Sequence, residues 1–302
     1  MLSYLHSFHA GNHADILKHV ALLYILEYLV KKEKPYSFFD THAGSGLYNL
    51  KAESALKTGE ASRGIEKLLS SFEKNPSSVP KALLHYINFV QNSLKKEFYP
   101  GSPAFEASFS RKGDFLNLTE LHKTEFNLLS ENIKSLNPAC FANILNESGW
   151  KILEKNIPPA IKRGVVFCDP SYEEKSDYTN AAELLSEAHK KWNAALIFLW
   201  YPLLANKSEE IENMKQMILA AAKNRDSHTE ILDAQLLVDT EDSHVETALE
   251  KSIGSEKPRL YGSGIFVVRP CWGLKEHLEA VLPYLSELLG NEGNGSFKVQ
   301  LF

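Results

Sequence analysis

Short apolar runs recur along the chain at Tyr36–Asp40, Phe115–Leu118, Gly164–Asp169, Ala194–Tyr201, Glu230–Val238 and Gly264–Val268. Their length and their content of β-branched and aromatic residues mark them as strands. Between several of them the apolar positions fall at helical spacing instead. Parallel strands need crossover connections, so this alternation predicts an α/β protein with a mostly parallel sheet and helices on both faces.

Two regions lie outside the alternation. Residues Asp15 to Lys32 read as one amphipathic helix, with Ile16, Leu17, Val20, Leu23, Tyr24 and Leu26 on an apolar stripe and a start signal at Asn12 and Asp15. Residues 51–97 carry helical patterns at Ser62–Glu73 and Pro80–Lys96, separated by the breaker run Asn75-Pro76-Ser77-Ser78-Val79-Pro80. The expected organisation is therefore one Rossmann-like domain made of residues 1–50 and 98–302, with a helical subdomain, 51–97, inserted after the first strand. No internal repeat interrupts this reading.

Composition narrows the class. The 302 residues, 44% hydrophobic and 24% charged, suit an ordinary globular chain with one large core. Three cysteines without CxxC spacing, Cys140, Cys168 and Cys271, give no disulfide framework and fit a reducing compartment. The start has no apolar signal core, and the run Val20–Val30 is too short to span a bilayer. A cytoplasmic protein without membrane attachment is expected. The net charge of −5 excludes a globally basic nucleic-acid coat. Local basic groups remain at Lys31, Lys32 and Lys34, at Lys95 and Lys96, and at Arg111 and Lys112. Lys162 with Arg163 and Lys190 with Lys191 complete the set, each pair being an ordinary solvated surface feature unless structure groups them.

Three features carry chemistry. The first strand runs into Asp40-Thr-His-Ala-Gly44-Ser-Gly46, a turn whose glycines let backbone approach a ligand outside the carboxyl ends of the strands. Its G-x-G lacks the third glycine of the dinucleotide fingerprint, which disfavours a nicotinamide enzyme. Glu120 closes the next strand, where an acid can accept from both ribose hydroxyls of a nucleoside. It follows Asp40 by 80 residues, a gap the helical insertion explains. The third feature is Val165-Val-Phe-Cys-Asp169-Pro170-Ser171-Tyr172. Adenine's exocyclic amine is a poor nucleophile because its lone pair is delocalised into the ring. An enzyme that alkylates it needs a carboxylate and a carbonyl to hold both amine hydrogens. Proline stiffens such a turn, and an aromatic neighbour offers an unstacked base a surface. The histidines His6, His9, His13 and His19 follow no compact zinc pattern, so no metal is expected, and they read instead as side chains lining a nucleotide or RNA cleft, or for His13 as plain packing.

Together these residues resemble the bacterial 23S rRNA adenine-N6 methyltransferases of the RlmJ type, formerly described as proteins involved in the use of external DNA. The resemblance covers most of the chain. It rests on the segments at residues 1–15, Asp40-Thr-His42-Ala-Gly44, Tyr99-Pro-Gly-Ser102-Pro103, Leu118-Thr-Glu120-Leu-His122, Asp169-Pro170 with Tyr172, and Leu199-Trp-Tyr-Pro202. It implies an S-adenosylmethionine (SAM)-dependent, Rossmann-like methyltransferase, monomeric, acting on one adenosine of 23S rRNA. His19, His42, Gly44, Ser102, Glu120, Ser148, Gly149 and Asp169 would contact the methyl donor. Asp169, with Pro170 and Tyr172, would bind the target amine and accept its proton, and Tyr4 would sit beside the RNA.

Two positions depart from the family pattern. Ser171 replaces the second proline of Asp-Pro-Pro-Tyr and leaves the Pro170 carbonyl in place. Ser148 stands where the family has an aspartate for the cofactor's adenine amine, a task left to its hydroxyl or to neighbouring Glu147. A DNA adenine-N6 methyltransferase shares the same turn. A non-catalytic nucleic-acid-binding or DNA-utilisation factor on a Rossmann core is a third reading.

Overall fold

The computed structural model describes residues 5–244 and 260–302. Tyr4, assigned above to the RNA substrate, lies outside the described residues. The strands are β1 (Ser37–Asp40), β2 (Leu47–Tyr48), β3 (Tyr99–Pro100), β4 (Phe115–Thr119), β5 (Phe141–Leu145), β6 (Gly164–Cys168), β7 (Leu196–Leu204), β8 (Ile231–Leu237), β9 (Leu260–Val268) and β10 (Ser296–Leu301). Eight form one sheet in the order β10-β8-β9-β7-β6-β1-β4-β5, while β2 and β3 make a small separate ribbon.

The five strands β5-β4-β1-β6-β7 are mutually parallel. Numbered by appearance they run 3-2-1-4-5, so the order reverses between β1 and β6, the place where a ligand crevice opens in such sheets. The antiparallel β9 lies between β7 and β8 and marks the sheet as a variant of the dinucleotide-binding order.

The helices are α1 (His13–Val30), α2 (Glu53–Thr58), α3 (Glu60–Arg63), α4 (Ile65–Lys74), α5 (Leu84–Leu94), α6 (Ser102–Phe109), α7 (Lys123–Leu136), α8 (Gly149–Asn156), α9 (Ser176–Lys191), α10 (Ser208–Arg225) and α11 (Leu274–Leu289). Side-chain alternation along the strands separates two cores. Phe38, Val165, Phe167 and Phe198 face a layer that includes α1, α4, α5, α7 and α11. Phe39, Val166, Cys168 and Ile197 face α8, α9 and α10.

The six expected strands are present, with β7 and β9 longer than anticipated. β5 and β10 were not foreseen because they are edges. Phe141 at the start of β5 is exposed, as is most of β10, and neither shows the apolar run of a buried strand. α1 is not amphipathic: Ala14 to Leu23 is buried without interruption, including Asp15, Lys18 and His19. A helix buried on nearly all sides lies in the core. Asn12 caps it by accepting from the Asp15 backbone N–H at 3.0 Å. Between β2 and β3 the chain is helical, and Ile65, Leu68, Leu83, Tyr86 and Ile87 from that stretch enter the same core as α1.

Phe167 tests the sheet–helix packing. It is fully buried and stacks on Phe198 with ring centroids 4.6 Å apart. Phe167→Ala should lower unfolding stability by about 3–5 kcal/mol in chemical denaturation.

Candidate active site

A cavity of about 310 Å³ opens at the carboxyl ends of β1, β4 and β6. It is lined by His19, His42, Gly44, Ser102, Glu120, Ser148, Gly149, Asp169 and Pro170. The fold thus gathers sequence-selected residues from separate segments into one wall.

The β1 end is shaped by close approaches. Gly44 has φ +60°, and a Cβ there would meet the Tyr48 hydroxyl at 2.1 Å. A Cβ on Gly149 would lie 2.0 Å from the Thr41 carbonyl oxygen, so only glycine lets α8 start against β1. Below them Asp40 is buried and accepts from the His42 backbone N–H at 3.0 Å and the Ser102 hydroxyl at 2.7 Å. Burial pushes its carboxyl up to about 6. The Ser102 proton is therefore committed to Asp40, and its oxygen lone pairs face the cavity. His42 Nδ1 lies 2.8 Å from the Thr41 hydroxyl, which itself donates to the Phe167 carbonyl at 3.2 Å. That network assigns the ring proton to Nδ1 and leaves Nε2 as an acceptor. Desolvation lowers His42 to about 4 and His19 to about 3.

Glu120 is fixed by two backbone donors, Gly44 N–H at 2.9 Å and His122 N–H at 2.6 Å, one on each oxygen. Each oxygen keeps a second lone pair for a hydroxyl. Ser148 borders the cavity at the start of α8. Glu147 is outside that wall, half-exposed and facing Lys155 at 4.0 Å, so it does not stand in for the missing aspartate.

Asp169 follows β6, and its side chain is 16% exposed. Lys18, from α1, donates to Asp169 Oδ2 at 2.5 Å and lies 3.0 Å from Asp15 Oδ1. Asp15 Oδ2 also sits 3.0 Å from His6 Nε2 and accepts from the Gly11 N–H at 2.8 Å. Burial raises Asp169 above the ordinary carboxylate range even though Lys18 pulls the other way. The sequence reading missed Lys18 as a cavity residue, while His6 joins the lining as a cleft histidine. The spacing of Asp15 and Lys18, one turn apart in an otherwise apolar helix, was the available signal. It also missed Trp150, which lines the cavity edge-on to His42 at 4.9 Å.

Tyr172 is a correction. Its φ of +55° turns the side chain away from the cavity, whose lining does not include it. The hydroxyl donates to the Trp200 carbonyl at 2.8 Å, and the ring packs on Tyr178. It anchors the turn and offers no stacking surface to the cavity.

The remaining charges decide what the cavity accepts. Glu120, Glu125, Glu173, Glu174 and Asp177 line it, against Lys18, which two aspartates already neutralise. A pyrophosphate would meet repulsion there. A donor carrying a sulfonium and an ammonium would not. Among the described residues no helix is long and apolar enough to cross a membrane.

The 3-2-1-4-5 sheet, the acid at the end of its second strand and the Asp-Pro turn at the end of its fourth define the class of Rossmann-like methyltransferases. The family model described as ribosomal RNA large subunit methyltransferase D, RlmJ, matches residues 33–302. A ribosomal RNA large subunit methyltransferase J from Escherichia coli (strain K12) is 35% identical over 298 residues, covering 98% of this chain and 96% of that protein. Its counterpart from Haemophilus influenzae (strain ATCC 51907 / DSM 11121 / KW20 / Rd) is 33% identical, covering 99% and 98%. The crystal structure of protein LPL1258 from Legionella pneumophila str. Philadelphia 1 aligns with a TM-score of 0.77 at 29% identity, over 97% of this chain and 98% of that one. The chain belongs to the RlmJ family of ribosomal RNA methyltransferases.

His19 makes the site's cost measurable. It is 3% exposed and its folded value, about 3, lies below the unfolded 6.5. The unfolded chain therefore binds the extra proton, and this histidine's contribution to stability is full above pH 6.5 and lost as pH falls toward 3. Denaturant midpoints should drop across that window, and His19→Gln should flatten the drop.

Proposed function

We propose that this enzyme transfers the methyl group of SAM to the exocyclic N6 amine of an adenosine in 23S ribosomal RNA. The observation that carries the reading is the Asp169-Pro170 turn, which lines the same cavity as the Glu120–Gly44 shelf. When bound, SAM supplies an activated methyl group on a sulfonium. The chain's own task is then to align, to exclude water and to hold one proton.

The residues present fit that cofactor. Glu120 would accept from the ribose hydroxyls with its two remaining lone pairs. His19, His42 and Ser102 would receive the amino-acid end, where the Ser102 oxygen can accept from an ammonium. Ser148 and Gly149 would border the adenine, and Trp150 adds a ring beside it. Lys18 occupies Oδ2 of Asp169, leaving Oδ1 for an amine hydrogen. The raised basicity of Asp169 suits it to take the proton as the nitrogen becomes cationic. The target base must be unpaired or flipped to reach this turn.

The helical stretch 51–97 acts in this reading as an accessory subdomain that holds the amino-terminal segment over the cavity. Glu60 pairs with His9 at 2.8 Å and accepts from Asn12 at 2.9 Å, and Ile65 N–H donates to the Gly11 carbonyl. The enzyme would work as a cytoplasmic monomer on RNA.

Asp169→Ala should abolish methylation of 23S rRNA fragments while SAM still binds in calorimetric titration; full turnover by this variant would exclude Asp169 from the chemistry. Glu120→Ala should do the reverse, weakening SAM by about tenfold or more, since it removes a buried charged acceptor. Methyl incorporation into duplex DNA exceeding that into rRNA fragments would assign the site to DNA.

A further inference from the structure

The basic groups scattered along the sequence converge on the end of the sheet opposite the cavity. The cavity opens at the carboxyl ends of the parallel strands, so the loops that enter those strands share the other edge. Lys31, Lys32 and Lys34 precede β1, and Lys112 precedes β4. Lys162 precedes β6, and Lys191 precedes β7. The antiparallel β9 ends at the same edge and delivers Arg269 and Trp272 there. Of the doublets picked from sequence, only Lys95 and Lys96 lie elsewhere.

Side-chain contacts tie these loops into one surface. Arg111 donates to the Lys32 carbonyl at 2.8 Å and pairs with Asp114 at 3.1 Å. Arg163 donates to the Lys34 carbonyl at 2.7 Å, so two arginines grip the 29–34 loop and hold its lysines outward. Trp192 Nε1 donates to the Lys162 carbonyl at 2.6 Å, which seats Lys191 beside Lys162. A groove continues from Lys32 and Arg163 to Arg269 and Trp272.

The six lysines are solvent-exposed, and among the described residues none forms an ion pair. Exposed acids at this edge include Glu33, Asp226, Glu230 and Glu276, fewer than the six lysines together with Arg269. Trp272 is 85% exposed, an unusual state for the largest apolar side chain. Arg269, next to that groove, holds φ +56°, a strained conformation for a residue with a side chain.

We propose that this edge binds the phosphate backbone of an RNA segment other than the one that carries the target adenosine, with Trp272 stacking on an unpaired base. The proposal rests on the rRNA reading above. RNA binding by this chain needs such a surface, because phosphates meet mainly carboxylates around the cavity. A five-residue strand spans about 17 Å, so a short stem docked at the cavity does not also cover the far edge.

The test compares the wild type with the quadruple variant Lys34→Gln, Lys112→Gln, Lys162→Gln, Lys191→Gln, and separately with Trp272→Ala. The probes are a short stem-loop carrying the unmodified target adenosine and a protein-free transcript of the surrounding 23S domain. None of the five residues touches the cavity, and melting curves check that folding is kept. The expected result is that the quadruple variant binds the long transcript at least about tenfold more weakly, with the slope of log affinity against log salt reduced by about 3. Trp272→Ala weakens the long transcript without that slope change, and turnover on the short stem-loop is unchanged in both. Equal affinity for the long transcript in variant and wild type overturns the proposal. Equal losses on both RNAs overturn it too. Failure of the rRNA reading shows separately, as no methylation of either RNA by the wild type, while the binding comparison still reads the surface.

Discussion

One buried ammonium organises the catalytic half of the molecule. Lys18 sits between Asp15 on its own helix and Asp169 after β6, with its side chain 5% exposed. An ammonium removed from water needs compensating charge in good geometry, and removing one partner of such a group is far more damaging than the pair is stabilising. The register of α1 against the sheet is thereby coupled to the position of Asp169. Asp15 is in turn oriented by His6 and the Gly11 N–H, and Gly11 is bonded to Ile65 of the inserted helices. A line of polar contacts therefore runs from the insertion through the amino-terminal segment to the Asp169 carboxylate. Trp200 completes the shell, with Lys18 Nζ 5.1 Å from its ring centroid.

That dependence explains what could be read from sequence. Buried parallel strands such as β6 announce themselves as apolar runs, and the acids at their ends follow because ligands bind where strands stop. Glu120 and Asp169 were legible for this reason, as was Gly44, whose positive φ no other residue adopts cheaply. The register between segments far apart in sequence was not legible. Lys18 and Asp169 are 151 residues apart, and nothing local marks one as the other's partner. Tyr172 misled because a motif gives order along the chain and not the sign of φ. The edge strand β5 was missed because half-exposed residues carry no alternation that distinguishes them from a loop.

The two ends of the sheet answer opposite electrostatic demands. A cavity for a cationic methyl donor is favoured by carboxylates, and the same carboxylates repel a polyanionic substrate. At physiological ionic strength charges on the surface are screened over about 8 Å. The roughly 17 Å length of the central strands therefore places the lysine-bearing entry loops beyond two screening lengths from the acidic mouth. Neither field cancels the other across that distance. A net charge of −5 then conceals two local environments of opposite sign, which is how an acidic protein can hold a sulfonium at one edge and face phosphates with the other. Among parallel strands this separation comes with the topology, because crossover connections send each strand entry to one edge and each strand exit to the opposite one.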